Sequence, residues 1–246
     1  MVRRNPKKKR ITKRTLSIKS HYGIVIFLDA LGTKGSWEKS NPETLIKRWD
    51  NFVLATEKYY KKLDKKFGTL SKLNAFSDTF IITITTKNIQ KILDQVGRSL
   101  IATFVIGLLR GISFRGCISA GKFFTGEKIV IGPAVDEAAR YSSLPNWVGV
   151  SAAPSMHVIL DKLESLPSYS VNSFQRHDIP MKHGIEKNGW VLSWHRLDLS
   201  SHIFDVKFNK IADPQLVKII TKKHNSETDI NNVFKWRNTL DYVTSK

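Results

Sequence analysis

The stretch IVIFLDALGTKG, Ile24 to Gly35, decides how this chain is read. Five apolar residues lead straight into Asp29, and Gly32-Thr33 turns the chain soon afterwards. The run reads as a buried strand over Tyr22–Leu28 with a carboxylate at its tip. A buried carboxylate is costly unless a partner or a metal ion meets it. The rest of the sequence has to supply that partner.

Downstream, Asn41-Pro42-Glu43 carries the marks of a helix start: a capping side chain, a proline in the first turn and an acid near the positive end of the dipole. The apolar spacing of Leu45, Trp49, Phe52, Val53, Ala55 and Tyr59 carries this helix to about Lys66, and Gly68 ends it. TLSKLNAF and TFIITITT read as two strands joined by a tight connection at Ser77-Asp78. Asn88 to about Leu109 is a second amphipathic helix, and ISFRGCISAGKFF a strand closed by Gly121. EKIVIG is a strand or extended loop. Pro133 opens a helix through AVDEAARYSSL that Pro145 stops. WVGVSA, PSMHVILDKL and GWVLSWHRL read as strand, helix and strand, and the last 50 or so residues as mainly helical.

The order βαββαβ, followed by further elements, predicts an α+β fold with a ferredoxin-like core and extra C-terminal strands and helices. In that topology the central hairpin lies beside the first strand. Its tip, Asp78, then comes next to Asp29. Two convergent carboxylates are the usual means of holding a pair of hard divalent cations against phosphates. Gly32 and Thr33 leave room for an anion to approach the backbone.

Composition narrows the class. The 246 residues, 41% of them hydrophobic, suffice for one sizeable core. Residues 1–19 hold nine Lys or Arg and no acid, leaving +10 of the +19 net charge on the remainder. Residues 1–20 therefore read as a disordered basic arm, either a solvated tail or a contact for nucleic acid or an anionic surface. The single cysteine, Cys117, excludes an internal disulfide framework and reads as a small core residue. No apolar run is expected to reach membrane-spanning length, and a cytoplasmic location is expected. Seven scattered histidines show no zinc spacing, Lys122 lacks the phosphate-loop pattern around it, and Trp49, Phe52 and Tyr59 read as core. Arg115 could contact phosphate, but beside Phe114 in a strand it reads as structural or as part of a dimer interface.

IVIFLDALGT resembles the first metal-binding strand of the class III nucleotidyl cyclases. LNAFSDTFIIT resembles their second metal hairpin, FRGCISAGKFFTG the strand after the second helix, IGPAVDEAARYSSL the arginine-bearing helix, and IPMKHG followed by WVLSW the late lysine and final strand. These blocks cover about residues 22–197. The resemblance implies a catalytic domain over 21–200 and a helical C-terminal extension, 201–246, packed on it. It implies that Asp29, Asp78 and the backbone of Ala30 hold two divalent cations, Mn2+ or Mg2+. Arg140 would stabilise the α-phosphate charge and Lys182 would grip the phosphates. Asp136 stands where most of these enzymes have a ribose-orienting asparagine. Asn74 and Ile129 stand at the base-reading positions, and Ile129 has no group to hydrogen-bond a purine.

With that loss the chain resembles most the bacterial Pycsar pyrimidine cyclases. These make cyclic UMP or cyclic CMP as an anti-phage signal read by a separate effector. The expected substrate is UTP or CTP, with UTP preferred. The expected assembly is a homodimer with two shared sites, metal aspartates from one subunit and Arg140 and Lys182 from the other. Three other readings stand beside this one: a purine (adenylate) cyclase, a catalytically silent nucleotide-sensing module, and a nucleic-acid-binding protein led by the basic arm.

Overall fold

A computed structural model describes residues 18–32, 41–127, 129–166, 172–196 and 213–245. The basic arm through residue 17 lies outside these residues, as does Thr33. Eight strands form one sheet in the order β2-β3-β1-β4-β6-β8-β7, with the short β5 paired to β4. The strands are β1 (Lys19–Leu31), β2 (Leu70–Phe76), β3 (Thr79–Thr85), β4 (Ser113–Thr125), β5 (Val130–Ile131), β6 (Gly149–Ala152), β7 (Phe174–Met181) and β8 (Gly184–Leu192). The helices are α1 (Pro42–Phe67), α2 (Ile89–Leu109), α3 (Pro133–Ser142), α4 (Pro154–Glu164), α5 (Asp213–Ser226) and α6 (Ile230–Thr244). The order β2-β3-β1-β4 is the ferredoxin-like arrangement expected from the sequence.

β1 is central, and both its faces are covered. Ile24, Ile26 and Leu28 join the main core with Phe52 of α1 and Leu93 and Leu100 of α2. Val25, with Phe27 packed against it, joins Ala134, Val135 and Ala138 of α3 on the opposite face. A strand covered on both faces reads as a continuous apolar run, which is why IVIFL shows no alternation. Trp49, Phe52, Phe80 and Phe114 pack ring to ring and fix α1 against β3 and β4.

Local signals account for the helix ends. The Asn41 side chain accepts from the Glu43 backbone N–H, and Gly68 closes α1 in the left-handed conformation at φ 65°. The Asn88 side chain accepts from the Lys91 N–H to cap α2.

Four expectations need correction. β1 starts at Lys19 rather than Tyr22, so the last residues assigned to the arm belong to the sheet. β4 continues past Gly121, which sits inside the strand at φ +149°, to Thr125. β7 was not expected, because QRHDIP is polar and contains Pro180; as the sheet's edge strand it tolerates both features. Finally, α2 is long and apolar enough to cross a membrane, with a mean hydropathy of 1.5 over its apolar window. That window is 78% buried in the protein, so the helix spends its apolar surface on the core.

The C-terminal helices pack on the end of the sheet. Thr239 Oγ1 accepts from the Val148 N–H at 2.8 Å, Asn238 Nδ2 donates to the Asn146 carbonyl, and Tyr242 donates its hydroxyl to the Leu192 carbonyl. Trp147, His177, Trp194, His195 and Tyr242 form a ring cluster beneath these bonds.

Candidate active site

Asp29 lies two residues before the end of β1's pairing with β4, opposite Thr79 on β3 and Arg115 on β4. Directly opposed residues share a face, so Asp29 and Arg115 project to the side of the sheet that carries α3. The partner that the sequence demanded is Arg115. Its Nη2 donates to Asp29 Oδ2 at 2.9 Å, with side-chain exposures of 11% for the arginine and 28% for the aspartate. Arg115 Nη1 also donates, at 3.4 Å, to the carbonyl of Ser143, which follows α3.

Asp78 sits in the two-residue turn between β2 and β3. Ser77 before it adopts a left-handed φ of 56°. The Ala30 N–H donates to the Asp78 carbonyl at 2.8 Å and ties the hairpin tip to the end of β1. The structure therefore brings Asp29, Ala30 and Asp78 to one end of the sheet. Gly32, exposed at φ +75°, follows at once, and its position has open space where a side chain would stand.

Lys182 is exposed in the β7–β8 turn, and its backbone N–H donates to the Leu144 carbonyl at 2.9 Å. This anchor follows the Ser143 carbonyl that holds Arg115. The Lys182 backbone is thereby anchored one residue from the carbonyl that holds Arg115, on the same chain as Asp29, whereas the resemblance implied that Lys182 serves a site in the other subunit. A further cation joins this group. Lys235 of α6 is held below the ordinary lysine pKa by burial first and then by Arg115, against Asp229; Lys182 lowers it further and Asp29 opposes. Its Nζ donates to Asn232 Oδ1 at 3.0 Å.

The remaining predicted residues lie elsewhere on the chain. Asp136 and Arg140, one turn apart, are both exposed on α3. Arg140 makes no ion pair among the described residues. Asn74 is exposed on β2 opposite Ile81, on the same face as Asp29. Ile129 is 45% exposed in the turn before β5, whose Val130 pairs with Thr125 at the far end of β4 from Arg115. One chain does not bring Ile129 to its own Asp29.

Sequence reasoning missed Lys235 and set Arg115 aside as structural or interfacial. Arg115 carried a usable signal, since a charged side chain inside the apolar run of a central strand requires a partner. Lys235 carried none, because it belongs to an ordinary amphipathic helix.

As a metal site, the end of β1 offers two hard carboxylates and nearby backbone. Among the described residues no group of three or more His, Cys, Asp or Glu forms a metal cage. A donor set this sparse suits a cation that keeps water and substrate phosphates among its ligands, as Mg2+ does.

No family model and no curated protein matches the chain. Solved structures do. The catalytic core of a rhodopsin-guanylyl cyclase with converted specificity, in complex with ATPαS, superposes with a TM-score of 0.51 at 13% identity, covering 71% of this chain and 98% of that one. A dimeric guanylyl cyclase domain of the RhoGC fusion protein from the aquatic fungus Blastocladiella emersonii superposes at 0.50 and 12% identity, covering 72% and 97%. The fold is that of a nucleotidyl cyclase catalytic domain. α5 and α6 belong to the C-terminal part of the chain, and Lys235 of α6 stands within electrostatic reach of Arg115 and Asp29.

Proposed function

We propose that the chain is a nucleotidyl cyclase that converts a pyrimidine nucleoside triphosphate, UTP in preference to CTP, to its 3′,5′-cyclic monophosphate and pyrophosphate. The ribose 3′-oxygen forms a bond to the α-phosphorus, the bond from that phosphorus to the β-phosphate bridging oxygen breaks, and the 3′-hydroxyl proton leaves to solvent. The observation that carries this reading is the convergence of Asp29 and Asp78 at one sheet end on a cyclase fold, beside Arg115 and Lys182.

Asp29, Asp78 and the Ala30 carbonyl would hold two divalent cations, Mg2+ or Mn2+. Such ions, when bound, supply Lewis-acid activation of the 3′-hydroxyl and neutralise charge on the leaving pyrophosphate. Arg115 holds the Asp29 carboxylate in place through their 2.9 Å ion pair before metal binds. Arg115 and Lys182 then face the phosphate chain with positive charge. Arg140, unpaired within its own chain among the described residues, stabilises the α-phosphate of a site in a second copy, and Asp136 one turn away meets the ribose. This makes the active unit a homodimer with two shared sites.

Asn74 and Ile129 support pyrimidine selection. Neither supplies a charged reader, and Ile129 cannot pair with a purine exocyclic group, so the larger bases gain nothing specific there. The product would serve as a signal in anti-phage defence, read by a separate effector.

Incubation with each of the four nucleoside triphosphates and Mg2+ or Mn2+, read by mass spectrometry, tests the proposal. Cyclic UMP or cyclic CMP is expected, and it should vanish in Asp29→Ala and Asp78→Ala. No cyclic product from any nucleotide would refute the activity. Cyclic AMP alone would refute the base argument and leave the rest standing.

A further inference from the structure

The residues around Lys235 do more than cover the sheet. A cleft beside the end of β1 is lined on one side by Gly32 and Ser113, and on the other by Lys223, Lys235 and Trp236 of α5 and α6 with Glu227 between the two helices. Its two walls come from distant parts of the chain, residues 31–113 and 223–236. The strand wall carries Gly32, immediately after the carboxylate-bearing end of β1. The helix wall carries two half-buried lysines.

Charge balance shows what this wall is for. Asp29 already has its counter-ion, Arg115, at 2.9 Å. Lys235 is therefore surplus as a partner for Asp29. It stands within electrostatic reach of two like charges, Arg115 and Lys182, with Asp229 and Asp29 opposing them and Glu227 lining the same cleft. Its side chain is held by Asn232 at 3.0 Å rather than being left to swing into solvent. Crowded cations held in place by neutral hydrogen bonds are an arrangement that waits for an anion. Filling Asp29 with metal would sharpen the need, because Arg115 would then lose part of its own partner.

We infer that Lys235, presented by the C-terminal helix α6, binds the β- and γ-phosphates of the bound triphosphate from within the same chain, with Lys223 flanking the cleft. The C-terminal helices are then part of the nucleotide site. The inference rests on the proposed cyclase reading for the identity of the ligand, but its chemistry, a polyphosphate anion, can be tested without turnover.

Inorganic tripolyphosphate is the probe, titrated into the full chain by calorimetry with Mg2+ present. Wild type should bind it. Lys235→Gln should weaken binding roughly tenfold or more, the usual loss for one charge-assisted contact. Lys235→Arg should restore much of it, and the melting temperature of the ligand-free Lys235→Gln protein should stay close to wild type. UMP, which lacks the β- and γ-phosphates, should bind both proteins equally. Tripolyphosphate binding unchanged in Lys235→Gln, or no binding to wild type, would overturn the inference. An equal loss of UMP and tripolyphosphate binding would also overturn it, since that marks a general structural role. If wild type binds tripolyphosphate through Lys235 yet makes no cyclic nucleotide, the inference stands and the cyclase reading falls.

Discussion

Replacing Arg115 with methionine isolates the tension built into the site. The substitution keeps most of the apolar stem and removes the guanidinium that contacts Asp29 at 2.9 Å and the Ser143 carbonyl at 3.4 Å. Removing one partner of a fully buried ion pair costs about 3–5 kcal/mol. Asp29 keeps 28% of its side-chain exposure, so water recovers part of that loss, and about 2 kcal/mol is the expected cost in chelator. For a chain of this size that corresponds to a fall in melting temperature of about 4–8 °C. Metal should then act unequally on the two proteins. In wild type a divalent cation competes with Arg115 for Asp29, whereas in Arg115→Met it meets an uncompensated carboxylate. Thermal melts followed by circular dichroism, in EDTA and in millimolar Mg2+ or Mn2+, read both effects. The variant should regain more stability from metal than wild type does, and Asp29→Asn/Arg115→Met should lose that extra gain. A variant that melts with wild type in EDTA, or shows the same metal shift, would refute the view that Arg115 is the stand-in counter-ion of an electrostatically loaded carboxylate.

Three further outcomes follow from other parts of the fold. His195, whose Nε2 accepts from Arg196 Nε at 3.1 Å, has its pKa lowered to about 4, by burial first and then by the Arg196 and His177 charges. The unfolded chain takes up this proton near pH 6.5 and the folded one does not. Its contribution is therefore fully present above pH 6.5 and is lost as pH falls toward 4; urea titrations across that window should show His195→Gln losing about 2 kcal/mol less than wild type. Thr239→Val leaves the buried Val148 N–H without its 2.8 Å acceptor, which should cost about 1–3 kcal/mol and speed amide exchange in α6. Gly23→Ala would put a Cβ 2.0 Å from the Ile84 carbonyl oxygen in a central strand pair, and should cost about 3 kcal/mol or more, read as loss of soluble protein or a collapsed melting transition.

The frame of the fold was legible because its signals are local. Asn41, Gly68 and Asn88 mark helix ends by their own backbone chemistry, and Ser77-Asp78 marks a turn in the same way. Asp29 and Asp78 could be brought together on paper because βαββαβ leaves few arrangements of the sheet. The features missed depend on distant partners. β7 looks like a loop until an edge position accounts for its polarity and its proline. Arg115 announces that it needs a partner, but only the β1–β4 register identifies Asp29, 86 positions away, as that partner. Lys235 means nothing in its own helix and becomes informative only when α6 lies beside Gly32. The apolar length of α2 shows the converse: composition suited to a membrane proves to be the interior of a two-sided sheet.

The anchoring of α6 on the Val148 N–H and the Leu192 carbonyl has a consequence for the order in which a newly made chain becomes competent. β1 needs residues 79–85 and 113–125 before the sheet can close around it, so a nascent chain of about half length can already pair Asp29 with Arg115. The wall that bears Lys235 arrives only when residues 230–244 emerge and dock. Between those two moments the growing protein can hold Asp29 and Arg115 together but lacks Lys235. The Lys235 wall is thereby the later-formed side of the cleft, and any break between the sheet and α6 would take it away again.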